Sequence, residues 1–291
     1  MAGRDLPWRD PQCSPWGVLV SEVMLQQTPV SRVEPRWRAW MERWPTPSDL
    51  AVASTADVLR AWDRLGYPRR ALRLQECAQA ITAQHQGQVP RDEASLLALP
   101  GIGEYTAAAV ASFAFGQRAT VVDTNVRRVI ARLVGGEAQA APNLNSAERQ
   151  RAASLVPAEP AQAARWAAAS MELGALICTA RTPACLSSAA PGCPVMDLCA
   201  WRLDDYPADE HAHRRRSQAW HGTDRQVRGK IMAALRQANH AVNESDLRTL
   251  LAASTPQPEP SQVTRCLATL IEDGLLEQTS ADEDPQYALP A

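Results

Sequence analysis

The chain has 291 residues, 45% of them hydrophobic, with 30 Lys plus Arg against 32 Asp plus Glu and a formal net charge of −2. That length supports two domains, a third small module and a substantial core, while the balanced charge excludes a polycationic protein and confines any nucleic-acid footprint to a local patch. No apolar run reaches the roughly 18 residues of a membrane span, and the start, Met1 to Trp8, lacks an apolar export core, which predicts a soluble, non-exported, cytoplasmic protein with no membrane partner.

Arg4-Asp5-Leu6-Pro7-Trp8-Arg9 reads as an extended segment stiffened by Pro7. A helix follows from Trp16, with Ser14 or Ser21 as its cap and Pro29 ending or kinking it. Glu22 lies in its apolar run between Val18 and Leu25. Glutamate is rarely buried unpaired, so a solvent-facing side chain is the default. A buried Glu22 would instead be a carboxyl suited to act as an acid. Residues 32–85 give amphipathic helices broken at Trp44-Pro45-Thr46-Pro47 and at Leu65-Gly66-Tyr67-Pro68-Arg69-Arg70, with Trp37, Trp40, Trp44 and Trp62 at core spacing. Tyr67 differs, because a Gly-Tyr-Pro turn flanked by arginines can present an aromatic outward.

Leu99-Pro100-Gly101-Ile102-Gly103-Glu104-Tyr105-Thr106 is a turn for which the glycines at 101 and 103 supply positive φ, feeding a helix from Thr106 to Phe115. Such a helix start is an anion site suited to a phosphate, or an ordinary corner between helices. Val121-Val122-Asp123-Thr124-Asn125-Val126-Arg127-Arg128 then opens another helix. Asp123 and Asn125 are both cap residue types, so one can cap while the other faces a pocket. Residues 137–170 read as Ala-rich helix.

Of seven cysteines, four (Cys178, Cys185, Cys193, Cys199) follow the spacing Cys-x6-Cys-x7-Cys-x5-Cys. Without an export signal this favours a metal site over disulfides. Four thiolates suit zinc or an iron–sulfur cluster, and the paired Cys-x2-Cys knuckles usual for structural zinc are missing. Cys13, Cys77 and Cys266 read as structural. His211 to Arg216 is a polar linker with a basic run. Residues 223–238, 244–252 and 261–273 read as helices, and Gly274-Leu275-Leu276-Glu277 with Tyr287 as a β-hairpin, together a small winged-helix-like module. Residues 222–291 hold 6 basic and 10 acidic residues, which argues against an independent DNA grip.

The combination Leu-Pro-Gly-x-Gly-x-Tyr-Thr, Val-Asp-x-Asn-Val-x-Arg and Ser21-Glu22-Val23-Met24-Leu25-Gln26-Gln27-Thr28 resembles the helix-hairpin-helix base-excision glycosylases, and among them the A/G-specific adenine DNA glycosylase (MutY) family, over residues 4–215. The resemblance implies an all-α, two-domain helix-hairpin-helix fold with an iron–sulfur cluster loop. Its expected domains are 1–22 with 129–215 around the cluster, 23–128 as the helical barrel, and 216–291 as linker and C-terminal module. It implies Glu22 as general acid, Asp123 as the ionised carboxylate with Tyr105 and Asn125 positioning it, and Gln27 and Tyr67 inserted into the DNA stack. By the same resemblance Gly101 and Gly103 grip the backbone, Arg4, Leu6 and Trp8 line the base pocket, and Cys178, Cys185, Cys193 and Cys199 hold a [4Fe–4S] cluster.

The expected partner is double-stranded DNA with A·8-oxoguanine or A·G mismatches, bound by a monomer at the nucleoid. Departures are Pro68 for a second Tyr, Ala168 for a Glu or Gln near the base edge, Ser188 at the usual third ligand position with a five-residue longer loop before Cys193, and the short C-terminal module. The only lysine is Lys230, and relatives that cut the backbone commonly use a lysine Schiff base where Tyr105 stands, so lyase activity is not expected. The rival readings are a thymine (T·G) mismatch glycosylase and a non-catalytic, cluster-bearing DNA-binding protein.

Overall fold

The computed structural model describes residues 4–187, 192–210, 212–214 and 220–291. Ser188, the rest of the cysteine loop through residue 191, and His211, Arg215 and Arg216 of the basic run lie outside them. In chain order the helices are α1 (Pro15–Leu25), α2 (Val30–Arg43), α3 (Pro47–Ala51), α4 (Thr55–Trp62) and α5 (Arg69–Gln84). Then come α6 (Glu93–Leu97), α7 (Glu104–Phe115), α8 (Thr124–Leu133), α9 (Ser146–Leu155) and α10 (Pro160–Glu172). The chain ends with α11 (Ala200–Leu203), α12 (Asp224–Gln237), β1 (Val242–Asn243), α13 (Glu244–Ala252), α14 (Pro260–Glu272), β2 (Glu277–Ser280) and β3 (Gln286–Ala288).

The chain divides into two compact units. One comprises Met1–Val18, Arg91–Leu97 and Gly103–Ser217; the other comprises Leu19–Pro90, Ala98–Ile102 and Gln218–Ala291. Residues 91–97 and 103–128, expected with the barrel, thus fall in the first unit, while residues 19–22, expected with the cluster, and the C-terminal module fall in the second.

In the first unit α7 is a nearly all-apolar helix whose residues 106–112 are all buried, and it packs against α6 and α10. Gly116, at φ 64°, closes it in the left-handed conformation that glycine adopts without steric cost. The Ala-rich helical stretch expected over 137–170 forms two helices, α9 and α10. Val156-Pro157 separates them, because proline offers no backbone N–H to continue a helix. Glu159 caps α10 by accepting from the Ala161 and Gln162 N–H groups. Gly135 and Gly136 likewise end α8's path, and residues 134–145 carry no helix.

The second unit is built around tryptophans. Trp40 and Trp62 are fully buried, and Trp40 meets Trp44 and Trp62 edge-on at centroid distances of 4.7 and 5.7 Å. Such pairs add about 0.5–1.5 kcal/mol beyond their buried area. The C-terminal helices match their expected spans. The expected hairpin gains a third strand, giving an antiparallel sheet in the order β1-β3-β2 with Val242 and Gln278 both opposite Tyr287. Residues 224–235 of α12 bury Val227, Ile231, Met232 and Leu235 against this module and against α4.

Candidate active site and DNA-facing loops

Ser14 is the cap of α1, its hydroxyl accepting from the Gly17 N–H at 3.1 Å. Glu22, two turns along, is only 4% exposed among Leu19, Val20, Val23 and Met24, so the solvent-facing default is overturned. Just beyond α1, Gln27 is exposed at φ 57°, and Tyr67 is 41% exposed at φ 47°. Both are non-glycine residues in the left-handed region, a conformation that persists only where surroundings impose it.

Arg70 imposes it. One terminal nitrogen of its guanidinium donates to the carbonyls of Val23, Met24 and Gln26 (2.9, 3.2 and 2.6 Å). The other donates to Thr28 Oγ1 and to the carbonyls of Leu65 and Gly66 (3.1, 3.0 and 3.0 Å). Thr28 closes the gap by donating its hydroxyl to the Leu65 carbonyl at 3.1 Å. A single planar fork therefore ties the loop that carries Gln27 to the loop that carries Tyr67, a role a lysine's point charge cannot fill. Burial lowers the Arg70 pKa to about 10, opposed by the nearby Tyr67 hydroxyl.

At the hairpin, Gly101 has φ 74°, and a Cβ there would lie 2.7 Å from the Arg73 Cβ. Both backbone and space require glycine. Gly103 does not match its expectation: its φ of −99° is open to any residue, and nothing lies within 4 Å of a Cβ added there. It serves as the N-cap of α7, where no side chain caps the helix, and Tyr105 follows as the helix's second residue, half-buried.

Asp123, not Asn125, caps α8. One carboxylate oxygen accepts from the Val126 N–H at 2.7 Å and the other from the Asn125 amide at 2.8 Å. The Asn125 carbonyl oxygen accepts in turn from Arg128 at 2.8 Å. Arg128 is nearly buried and also donates to the carbonyls of Cys178 and Gly174 (2.7 and 2.6 Å). Desolvation lowers its pKa, partly offset by Cys178. Gly174 is held to glycine by contact, since a Cβ would fall 2.7 Å from the Asn125 Cβ.

Leu6 and Trp8 are buried, and Arg4 is engaged by Glu172 at the end of α10 through its Nε (3.1 and 3.2 Å) and a terminal nitrogen (2.6 Å). Arg9 adds a bond to the same carboxylate at 2.8 Å. Burial pushes the Glu172 carboxyl up, but the Arg4 hydrogen bonds and the Arg9 charge outweigh it and hold the group below its ordinary value. Ala168 lies one turn before Glu172 on α10. The acidic partner of Arg4 was within reach of the sequence, in the Met171-Glu172-Leu173 run ahead of Cys178, the first of the four clustered cysteines.

Cys178, Cys185, Cys193 and Cys199 line one pocket together with Val129, Leu173, Met196 and Trp201. Burial, followed by the neighbouring thiols, raises the Cys185 pKa, and burial is also the main cause at Cys193. Arg132 is 2% exposed. It approaches the Cys178 sulfur at 3.4 Å, donates to the Thr179 carbonyl at 2.7 Å, and stacks on Trp201 at 4.6 Å. Among the described residues no three His, Cys, Asp or Glu side chains form a single-ion site. Arg70, Arg128 and Glu172 are the residues that sequence reasoning missed.

These features define a helix-hairpin-helix DNA-repair fold: the model of the HhH-GPD superfamily of base excision DNA repair proteins matches residues 20–156. The structure of a thermostable thymine-DNA glycosylase is similar at a TM-score of 0.60 and 30% identity, over 69% of this chain and 89% of that one. The adenine DNA glycosylases of Mycolicibacterium smegmatis and Mycobacterium tuberculosis H37Rv are 50% and 49% identical over 99% of this chain, covering 92% and 89% of their own lengths. The chain belongs to the adenine DNA glycosylase family of base excision repair.

Proposed function

We propose that this glycosylase hydrolyses the N-glycosidic bond of adenine mispaired with 8-oxoguanine or guanine in double-stranded DNA, without a lyase step. The mechanism is supported by how each carboxyl is held: Glu22 is at 4% exposure, and Asp123 is oriented by two hydrogen bonds. Gln27 and Tyr67 enter the stack, at a cost of a few kcal/mol offset by new contacts, and the adenine turns out of the duplex. Glu22 gives a proton to the base at N7. The bond to the sugar C1′ then breaks, the electron pair leaves with the base, and positive charge develops on the sugar. Asp123 stabilises that charge, positioned by Asn125 and Tyr105. Water adds its hydroxyl to C1′ and returns a proton to the carboxyl pair, leaving free adenine and an abasic site. One carboxyl delivering a proton while its partner carries charge is the division of labour used in glycoside hydrolysis.

Arg4, Leu6 and Trp8 are the proposed base-pocket residues, with Arg4 oriented by Glu172. Cys178, Cys185, Cys193 and Cys199 would hold a [4Fe–4S] cluster. Four thiols around one apolar-walled pocket, with the Arg132 charge beside them, fit that group, which when bound would tie the four cysteines together. A monofunctional outcome is supported by the single lysine, Lys230, whose amine is bonded to Ser254 in the C-terminal module. The proposed setting is the cytoplasm, at the nucleoid.

The test is a panel of duplexes carrying A·8-oxoguanine, A·G, T·G or thymine glycol, incubated with the enzyme with and without alkali. Strand breakage only at adenine and only after alkali is the expected result. Breakage at T·G would favour the thymine reading, for which the thymine-DNA glycosylase likeness is the motive; breakage without alkali would refute the monofunctional step.

A further inference from the structure

Residues 222–291 are acidic in sum, but their charge is sorted in space. Four of their six basic residues, Arg225, Arg228, Lys230 and Arg236, are on α12 and line one cleft of about 990 Å³. Of their ten acidic residues only Asp273 lines it, and Arg228 and Arg69 both pair with that carboxylate. The opposite wall belongs to the same compact unit and includes Gln27, Tyr67, the exposed Arg32 and Arg64, and one carboxylate, Asp63, which is paired with Arg36. The cleft is therefore cationic on both sides, and it begins at the two residues assigned to enter the DNA stack.

Its mouth also carries aromatic faces. The Arg225 guanidinium lies 4.7 Å from the Tyr67 ring centroid and 5.2 Å from that of Trp220, which is 46% exposed. Guanidinium plates alternating with open rings, set in a positive groove, suit a nucleic-acid strand. Phosphates meet the charges and bases stack on the rings, whatever their sequence. An acidic protein segment would use the charges but leave the rings without planar partners.

We propose that the α12 face is a second DNA-binding surface. In this assignment the cleft takes the strand running past Gln27 and Tyr67, and the Tyr67–Arg225–Trp220 stack supports one of its bases. The proposal rests on the glycosylase reading, since it is that reading which brings Gln27 and Tyr67 to DNA. It gives the C-terminal module a grip that its net charge conceals.

The experiment measures binding of the full chain to an unmodified duplex and to an A·8-oxoguanine duplex, by fluorescence anisotropy across a salt series. Thermal melts check that the variants fold, as expected for changes at two exposed side chains. Trp220→Ala should weaken binding to both duplexes about tenfold with the salt slope retained. Arg225→Ala should weaken it comparably and reduce the slope of log K against log salt by about one. Arg225→Lys should restore the slope but not the full affinity, separating charge from stacking.

Wild-type affinity and slope in both alanine variants would overturn the proposal. So would variants that bind DNA normally yet lose binding to a polyglutamate peptide, which would assign the cleft to an acidic protein segment. Excision by the wild type is scored in parallel. Its absence would refute the proposed function, while the binding comparison would still decide the cleft.

Discussion

The Gln27–Tyr67 region and the Asp123 region solve the same problem by opposite means. Each displays motif residues, and each is held by an arginine to which the motif reading gave no role. Around Arg70 the displayed residues are strained, with Gln27 at φ 57° and Tyr67 at φ 47°, and the guanidinium grips their loops directly through five carbonyls and a hydroxyl. Around Arg128 the displayed residue is relaxed. Asp123 has ordinary N-cap geometry, at φ −94° and ψ −178°, and the arginine's hydrogen bonds reach it only through Asn125. The difference teaches where each site's work lies. A wedge works through its shape, so the fold holds it in an uncommon backbone conformation; a charge works through its placement, which a standard helix cap already provides.

That contrast can be broken or sharpened by mutation. The largest effect is expected for Asp123→Asn, which should slow single-turnover adenine excision by at least about 10³-fold, as loss of a charge-stabilising group does. Asparagine caps helices nearly as well, so its melting temperature should stay close to that of the wild type. A large drop in stability would mean that the cap, and not the charge, is the residue's main role.

Next comes Arg70→Ala, expected to cost on the order of 3 kcal/mol in denaturant unfolding, because hydrogen bonds to a charged group vanish and buried carbonyls lose their donor. It should weaken DNA binding more than it slows excision at saturating enzyme. Arg128→Leu should do the reverse, slowing excision of bound DNA at comparable stability loss, because Asn125 loses its partner. If both variants affected binding and rate alike, the distinction between shape and charge would fail.

A smaller effect is expected at the hairpin. Gly101→Ala should cost about 1–3 kcal/mol from its left-handed φ and its collision with Arg73. Gly103→Ala should change stability by no more than about 0.5 kcal/mol, as at an open surface position. Chemical denaturation of the two variants side by side checks this.

Local patterns carried much of the fold. The apolar run of α7, the tryptophan spacing of α2 and α4, and the three helices of the C-terminal module are periodicities a linear chain displays. So is the cysteine spacing that converges on one pocket. The roles of Arg70 and Arg128, by contrast, were illegible. The partners of a buried guanidinium are carbonyls of distant loops, such as Val23 and Leu65 for Arg70, and a carbonyl has no letter in the sequence. Gly101 and Gly103 look equivalent as letters, and only the backbone angles separate them.

The chain's one lysine stands on α12 inside the cleft beside Gln27 and Tyr67. An amine-directed dye therefore has a single side-chain target, and it attaches where the proposed strand would pass. Without any engineered cysteine, the enzyme offers an address for a fluorophore or a photo-crosslinker through which the arrival and departure of DNA can be watched in real time.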